Sequence, residues 1–380
     1  MKRFLPLLPL VAALLAPLAA QALDPAAGSE ILKLLNSRAA GNTRDYEEAA
    51  AVVARDAASG KPLQQFILAV ISRDAHAPKA ARISAALREE YLNRSRARIQ
   101  ALAEKKGNAL AWYLLSLETN DMKKLKRAVD GENIQALNAW GTITLTDIIT
   151  DPNINTNDLE RLLVSSYRCF SKAAAHRDAN GLYNVGMCLM QGYGCKPDAE
   201  RALECFRAAA EMRHPEAINN IGGFYRDGIV VERDPVLAAK WFARSADLGN
   251  AYGELNYALA LLRGEGVEQD VERAARMLKA SAEQGNEEAM NAYGMCLYNG
   301  EGVAQDRLDA GRWYRASAQR GFAPAMENLA TCYEKGTAGF RKDAAEALRW
   351  RMRARAVRGD RNAAAWLQGQ DAGNARRRTR

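Results

Sequence analysis

Apolar residues over 181–362 recur at helical spacing, and their pattern repeats every 36 residues. Each copy opens with a helix-like segment, such as the one that carries Ile218 and Ile221. After a short polar loop, a second segment follows around an adjacent apolar pair such as Trp241 and Phe242. A helix pair of this length buries its apolar face only against neighbouring copies. The pattern therefore predicts an all-α chain in which antiparallel helix pairs stack as a solenoid.

Two polar columns mark the helix ends within each copy. Glycine, which tolerates the left-handed conformation, is expected to end the first helix, and this column consists of Gly192, Gly228, Gly264, Gly300 and Gly336. Aspartate is expected to cap the second helix by accepting backbone N–H groups, and this column consists of Asp198, Asp234, Asp270, Asp306 and Asp343. Four clean repeats, the first over 181–216, and a stretched fifth copy follow from these columns.

The region before the clean repeats carries the same signal in a weaker form. Residues 136–180 are an imperfect repeat, with nine extra residues that we expect to project as a loop near Asp151, and Asp158 is a candidate cap for the helix that follows. Residues 23–135 are rich in Ala, Leu, Arg and Glu, which predicts degenerate helix pairs that cover the end of the solenoid. The tail over 363–380 is expected to lie outside the repeats.

The first 22 residues have the pattern of a secretory signal peptide. Lys2 and Arg3 precede an apolar run, and Ala20-Gln21-Ala22 provides a small-residue cleavage site. We therefore expect cleavage after Ala22, export to the periplasm or medium, and a mature chain with no transmembrane segment.

Charge is concentrated at the C-terminal end. The formal net charge of the chain is +8, and residues 349–380 alone carry ten arginines against two aspartates. Arg376, Arg377, Arg378 and Arg380 form the most basic part of this end. The segment is either a solvated terminus or a contact site for an anionic surface. Nucleic acid is not expected as a partner, because no nucleic-acid-binding module is recognisable.

The residues that carry chemistry are few. The chain has three histidines, and none lies in a metal-ligand pattern. His214 precedes Pro215 in the helix-start column of Asn250 and Asn286, which favours a capping role. Neither a phosphate-binding loop nor a nucleophile elbow is present. The pattern predicts neither an enzyme nor a cofactor.

The sequence of the fourth clean repeat resembles that of a known family. The run Asn-Ala-Tyr-Gly-Met-Cys-Leu-Tyr-Asn-Gly-Glu-Gly-Val-Ala-Gln-Asp at 291–306, continued by Trp313-Tyr314 and Ala316-Ser317-Ala318, is similar to the Sel1-like repeat family. The resemblance implies a right-handed α-solenoid related to tetratricopeptide repeats. It also implies a role in assembling or regulating protein complexes, and so a protein partner.

The six cysteines follow the repeat rather than a disulfide framework. Cys188, Cys296 and Cys332 share one first-helix position, where buried thiols are the favoured interpretation. Some exported members of the family carry a cysteine pair in each repeat, a pattern from which this chain departs. A bridge between Cys188 and Cys205 is the one intra-repeat pairing that stays open.

A polar column on the first helices is the candidate binding surface. By analogy with the family, first helices line the concave face, where amides can bond a peptide backbone or a glycan. The alternative is that these side chains bond their own repeat neighbours. The candidate residues are Asn184, Asn219, Asn220, Asn256, Asn291 and Asn328. Together these features predict an exported adaptor or regulator that binds a macromolecule; the alternative is a cell-wall- or β-lactam-directed hydrolase, as proposed for cysteine-rich relatives.

Overall fold

A computed structural model of the protein describes residues 43–59, 62–73, 81–150 and 154–368, and within these ranges it contains helices and no β-strand. The helices are α1 (Thr43–Ala58), α2 (Pro62–Ile71), α3 (Ala85–Lys106), α4 (Ala109–Thr119), α5 (Met122–Asp130), α6 (Ile134–Thr150), α7 (Thr156–Ala175), α8 (Ala179–Gln191), α9 (Ala199–Glu211), α10 (Pro215–Asp227), α11 (Pro235–Asp247), α12 (Ala251–Arg263), α13 (Val271–Glu283), α14 (Glu287–Asn299), α15 (Arg307–Gln319), α16 (Ala323–Lys335) and α17 (Ala344–Val357). A short helix α18 spans 361–368.

The chain divides between Arg233 and Asp234 into two compact units. In the first unit each helix from α1 to α10 packs against the next one, and in the second unit the same holds from α11 to α17. This order of contacts is that of an α-solenoid built from antiparallel helix pairs, so the predicted fold class is confirmed. The described part of residues 23–135 contains α1 to α5, which pack around buried side chains such as Phe66 and Tyr113.

The polar columns cap the helices as predicted. Each glycine of the first column follows a first helix in the left-handed conformation, with φ between 65° and 75°. Each aspartate of the second column accepts a backbone N–H from the first turn of a second helix, at 2.9 Å between Asp270 and Arg273 for example. Because both interactions are made within a few residues, every repeat forms its helix ends independently of its neighbours.

Small residues allow the helices of a pair to approach closely. A Cβ on Gly294 of α14 would lie 2.8 Å from the ring of Tyr314 on α15, so the two helices approach closely at this glycine. The two helices of a pair are also joined by a serine: Ser281 Oγ donates to the carbonyl of Ala251 at 2.7 Å, and Ser317 Oγ donates to that of Glu287 at 2.6 Å.

The loop inside each helix pair packs on the second helix of the preceding pair. A Cβ on Gly266 would lie 2.0 Å from the carbonyl oxygen of Pro235, and one on Gly302 would lie 2.0 Å from that of Val271. Gly194 meets Leu163 in the same way in the first unit. At these three positions the contact requires glycine for two reasons, since the backbone is left-handed and the space for a side chain is absent. Val230 and Ala338 stand at the equivalent position of the other two repeats, also with positive φ.

The expected loop insertion in the imperfect repeat takes a different form. Helix α6 has 17 residues and α7 has 20, whereas α8 to α16 have 13 each. Most of the extra residues therefore lengthen the helix pair rather than forming a projecting loop; residues 151–153 lie outside the described ranges. The cap of α7 is Asn155, which accepts the N–H of Asp158, so the expectation that Asp158 is the cap was wrong.

Candidate functional site

Three members of the predicted asparagine column have a defined contact with a neighbouring repeat. In the second unit, Asn328 Nδ2 on α16 donates to Asn291 Oδ1 on α14 at 2.8 Å, and Asn291 is buried. In the first unit, Asn220 Nδ2 on α10 lies 3.4 Å from the sulfur of Met187 on α8. These contacts join first helices of successive repeats, which agrees with the alternative that the asparagines bond their own repeat neighbours.

The remaining asparagines of the column are half-buried and keep part of their surface towards solvent. Asn184 lies on α8, Asn219 on α10 and Asn256 on α12. Asn291 cannot serve as a first contact for a partner, because 7% of its surface is exposed and its amide oxygen already accepts from Asn328. The pair was concealed in the sequence because Ala292 interrupts the column, and Asn291 one position earlier makes the bond instead.

A buried polar cluster surrounds the start of α10. His214 caps the helix: its Nδ1 accepts the N–H of Ala217 at 3.3 Å, so the proton is on Nε2, which donates to Asn180 Oδ1 at 3.2 Å. The ring of Tyr183 stacks on the imidazole at 4.6 Å between centroids. The predicted capping role of His214 is confirmed.

Burial keeps this cluster uncharged. It lowers the pKa of His214 to about 3 and raises the pKa of Glu216, whose Oε2 is 3.4 Å from His214 Nδ1, to about 8. An imidazole beside a carboxyl group has the composition of an acid–base pair. The imidazole is 2% exposed, however, and both of its nitrogens have partners within the fold. The arrangement therefore supports the helix start and offers no site at which a substrate could reach the ring.

One polar pair places a carboxyl group in an apolar column of the repeat. Glu254 stands where other repeats have residues such as Ile218 and Met290, and Gln284 stands where the neighbouring repeats have Leu248 and Arg320. Gln284 Nε2 donates to Glu254 Oε2 at 2.8 Å, which joins the helix pair α12 and α13 across the side where apolar contact is usual. Burial raises the pKa of Glu254 to about 7, and the bond from Gln284 opposes that rise.

A groove of about 900 Å³ lies beside the lengthened helix α7. One wall is formed by α5 and the other by α7, from Asn157 to Lys172. The residues that line it are Lys126, Val129, Asp130, Leu137, Asn157, Glu160, Arg161, Val164, Ser165, Arg168, Cys169 and Lys172. This groove was not predicted from the sequence. Its one signal was the spacing of 45 residues, in place of 36, between the starts of the imperfect repeat and the next copy.

The arginines of the basic end fall into two groups. On α17 and at its C-cap, four of them form ion pairs within the fold, and these pairs are Arg349 with Glu346, Arg351 with Glu334, Arg355 with Asp360 and Arg358 with Glu327. Arg353 lies over the ring of Trp350 at 4.5 Å. The charge of this helix is therefore largely balanced locally. The predicted contact residues Arg376, Arg377, Arg378 and Arg380 lie outside the described ranges.

The six cysteines are free thiols, so the bridge between Cys188 and Cys205 is not formed. Burial raises the pKa of Cys188 to about 12, which keeps this thiol protonated and unreactive at neutral pH. Among the described residues, no group of three or more His, Cys, Asp or Glu side chains has the arrangement of a metal site. No helix in the described ranges has the length and apolar character required to cross a membrane.

Comparison with known proteins identifies the repeats. The family model described as Sel1 repeat matches residues 179–214, 215–250, 251–286, 287–322 and 323–350. The chain is similar to the crystal structure of a Sel1 repeat protein from Oxalobacter formigenes, with 24% identity, a TM-score of 0.51, and coverage of 68% of this chain and 95% of that one.

Two further solved structures show lower TM-scores. The protein c5321, a protective antigen of uropathogenic Escherichia coli strains that displays an SLR fold, is 25% identical with a TM-score of 0.48, and the match covers 84% of this chain and 66% of that one. The immunity protein Pa5087 from Pseudomonas aeruginosa is 16% identical with a TM-score of 0.42, and the match covers 59% and 83%. No curated protein matched the chain.

The start of each matched repeat coincides with a first helix and its cap, since α8, α10, α12, α14 and α16 begin at or next to residues 179, 215, 251, 287 and 323. Family model, helix order and capping columns thus define the same unit. Members of this family generally act as scaffolds for protein–protein interaction and are typically not catalytic. Residues 179–350 of the chain therefore consist of five Sel1 repeats.

Proposed function

We propose that this chain is an exported adaptor or regulator that binds a protein partner through its helical repeats. The observation that carries the proposal is the division between constant and variable positions. Capping glycines and aspartates recur in every repeat, whereas the residue after the capping glycine differs: it is Tyr193, Ile229, Glu265, Glu301 and Thr337 in successive repeats. A scaffold that is constant inside and variable outside is what recognition requires.

Export is part of the same proposal and rests on residues 1–22. Cells that express the chain with a C-terminal tag are expected to hold it in the periplasmic fraction or the medium, with Leu23 as its first residue. A cytoplasmic chain that retains Met1 would contradict export and leave the recognition proposal standing.

The half-buried asparagines are the proposed contact residues on the first helices. Replacing Asn220 and Asn256 by alanine removes two amides, each worth about 0.5–1.5 kcal/mol in a bond to a neutral partner, so the affinity is expected to fall about tenfold. Melting temperature and partner affinity are measured on the same double variant. A destabilised variant that binds with wild-type affinity would show that these two side chains serve the fold alone.

The C-terminal arginines are proposed to contact an anionic surface of the partner or of the envelope. Deletion of 373–380 removes four arginines and no large apolar residue, so the fold is expected to persist. Binding to vesicles that contain anionic lipid is expected to weaken, and the difference from the full chain should shrink as salt is added. Equal binding of both chains at low salt would exclude the tail.

The partner itself is identified by capture. The mature chain, fixed to a solid support, is incubated with solubilised cell envelope, and retained proteins are identified by mass spectrometry. The control is the same chain unfolded by heat before fixation. A protein that is retained by the folded chain alone supports the proposal, and identical retention by both refutes it.

A further inference from the structure

The groove between α5 and α7 lies before residue 179, where the match to the Sel1 repeat model begins. Its depth follows from the lengths of its walls. Helix α5 is 9 residues long and α7 is 20, so the first turns of α7 extend beyond the height of a regular second helix, which has 13. In the regular repeats the helices have equal lengths. There the loop of each pair packs on the second helix of the preceding pair, as it does at Gly194.

The rim of the groove is rich in charged side chains. Lys126, Arg161, Arg168 and Lys172 line it together with the carboxylates of Asp130 and Glu160. Three of the cations are paired in exposed ion pairs, and these are Lys126 with Asp130, Arg161 with Asp158 and Lys172 with Glu132. Exposed pairs of this kind contribute little stability, so an incoming carboxylate can replace either partner at small cost.

Arg168 differs from the other rim cations. It is exposed on α7, and within the described residues it has neither an ion pair nor a hydrogen bond from its side chain. A guanidinium group has a fork of N–H donors that fits a carboxylate with two parallel hydrogen bonds. Among the rim cations, Arg168 is thus the one that is ready to receive an anionic group without giving up a partner.

The floor of the groove is apolar. Val129, Leu137 and Val164 line it together with Cys169, whose thiol is buried. An apolar floor excludes inorganic phosphate or a nucleic-acid backbone as a well-matched ligand, since neither offers an apolar group to cover it. A peptide that carries both carboxylates and an aliphatic side chain satisfies rim and floor together.

We propose that this groove binds an acidic peptide segment of a partner protein, with its carboxylates on Arg168 and Lys126 and an aliphatic side chain over Val164. The groove is then a second recognition surface, separate from the first helices of the regular repeats. The inference rests on the proposed recognition function and adds the chemistry of the ligand to it.

The probe for this proposal is a short fluorescein-labelled peptide that alternates glutamate with leucine. Two control peptides carry glutamine in place of glutamate, or alanine in place of leucine. Fluorescence anisotropy with the full mature chain is expected to show binding of the first peptide, about tenfold weaker binding of each control, and loss of affinity with added salt. Equal affinity for the glutamate and glutamine peptides, or no binding of the glutamate peptide, overturns the proposal.

A pair of matched variants locates the binding site. Lys126→Gln with Arg168→Gln removes two rim cations, and the control Lys279→Gln with Arg276→Gln removes the same charge from α13. Lys279 pairs with Glu283 one turn away, just as Lys126 pairs with Asp130, so both double variants make equivalent local changes. All four side chains belong to exposed residues, and the fold is expected to persist. The groove variant is expected to bind the glutamate peptide about tenfold more weakly, and the control to bind it like the wild-type chain.

Equal loss in both variants would show attraction by net charge and overturn the groove. A Val164→Ser variant that loses affinity for the leucine peptide, while its affinity for the alanine peptide is unchanged, supports the apolar contact; equal effects on both peptides contradict it. If the groove variant captures an envelope protein at wild-type yield and binds the peptide like the wild-type chain, the groove proposal is wrong and the recognition proposal stands. If the peptide binds as expected but no envelope protein is captured, the recognition proposal is wrong and the groove proposal stands.

Discussion

The contact between the loop of one repeat and the second helix of the preceding repeat can be tested by two substitutions in a single loop. Gly264 and Gly266 have nearly the same left-handed backbone, with φ of 65° and 70°. A Cβ on Gly264 would have its nearest neighbour at 3.6 Å, whereas one on Gly266 would lie 2.0 Å from the oxygen of Pro235 and 2.6 Å from the nitrogen of Val236. Alanine at either position meets the same backbone strain, but only at Gly266 does it meet another helix.

The expected magnitudes differ accordingly. The left-handed conformation costs alanine about 1–2 kcal/mol, and its lower entropy in the unfolded chain returns about 0.4–1 kcal/mol, so Gly264→Ala is expected to lower the free energy of unfolding by about 1 kcal/mol. At Gly266 the loop must also move away from α11 by more than 1 Å, roughly the shortfall from ordinary van der Waals contact, and overpacking of this kind adds about 1–3 kcal/mol. Gly266→Ala is therefore expected to cost about 2–4 kcal/mol.

The assay is urea unfolding of the full mature chain, followed by far-ultraviolet circular dichroism, with both variants and the wild-type chain measured under the same conditions. The midpoint is expected to fall further for Gly266→Ala than for Gly264→Ala, with a similar helical signal before unfolding. Equal losses at the two positions would refute the reasoning, because they would show that backbone conformation alone requires these glycines and that the loop contributes no packing between repeats.

Four other outcomes are expected. Asp270→Ala removes one helix cap and should lower the free energy of unfolding by about 1 kcal/mol, measured by urea unfolding; an unchanged midpoint would contradict the capping role. Val230 is 49% exposed and has a φ of 64°, so Val230→Gly should raise the thermal midpoint, because strain of about 1–3 kcal/mol exceeds the entropy cost of glycine; a lower midpoint would show that the valine packs. A double-mutant cycle of Asn291→Ala and Asn328→Ala should give a coupling energy of about 1 kcal/mol, and additive losses would deny the bond. Burial raises the pKa of Glu254 from 4.5 to about 7, so its contribution to stability is fully present below pH 4.5 and is lost as the pH rises through 7. After allowance for the partial exposure of this side chain, Glu254→Gln should reduce the fall in stability with pH by about 1 kcal/mol. Parallel pH profiles of stability for the two proteins would contradict this expectation.

The repeat and its helix ends follow from local sequence alone. A capping aspartate such as Asp306 accepts an N–H three residues later, and a glycine such as Gly300 adopts a conformation that other residues disfavour. Both requirements act within one turn of the chain, so they leave the same residue at the same position of every copy, where a single sequence reveals them. The capping role of His214 could be predicted for the same reason, because this residue stands in the capping column directly before a proline.

Tertiary structure decided every feature that joins residues far apart in the chain. Asn328 and Asn291 are 37 residues apart, and Arg358 pairs with Glu327 across 31 residues. Position in a column shows that such side chains recur, but whether an amide meets a neighbouring repeat or solvent depends on distances that arise only when helices pack. The basic C-terminal end is an example. The number of its arginines is evident from the sequence, but only the fold shows that four of them pair with carboxylates.

The groove beside α7 is the clearest case of what the sequence left undecided. The nine extra residues were visible as a break in the period, and a loop was the expected form because turn-forming residues occur there. In the structure most of them continue the two helices, since the packing of α6 on α7 extends both beyond the regular length. The rim cations then come from α5 and α7 together, two elements whose groove-lining residues are between 27 and 46 positions apart in the chain. Local propensity acts over a few residues, and it therefore cannot specify which surfaces two helices present to each other.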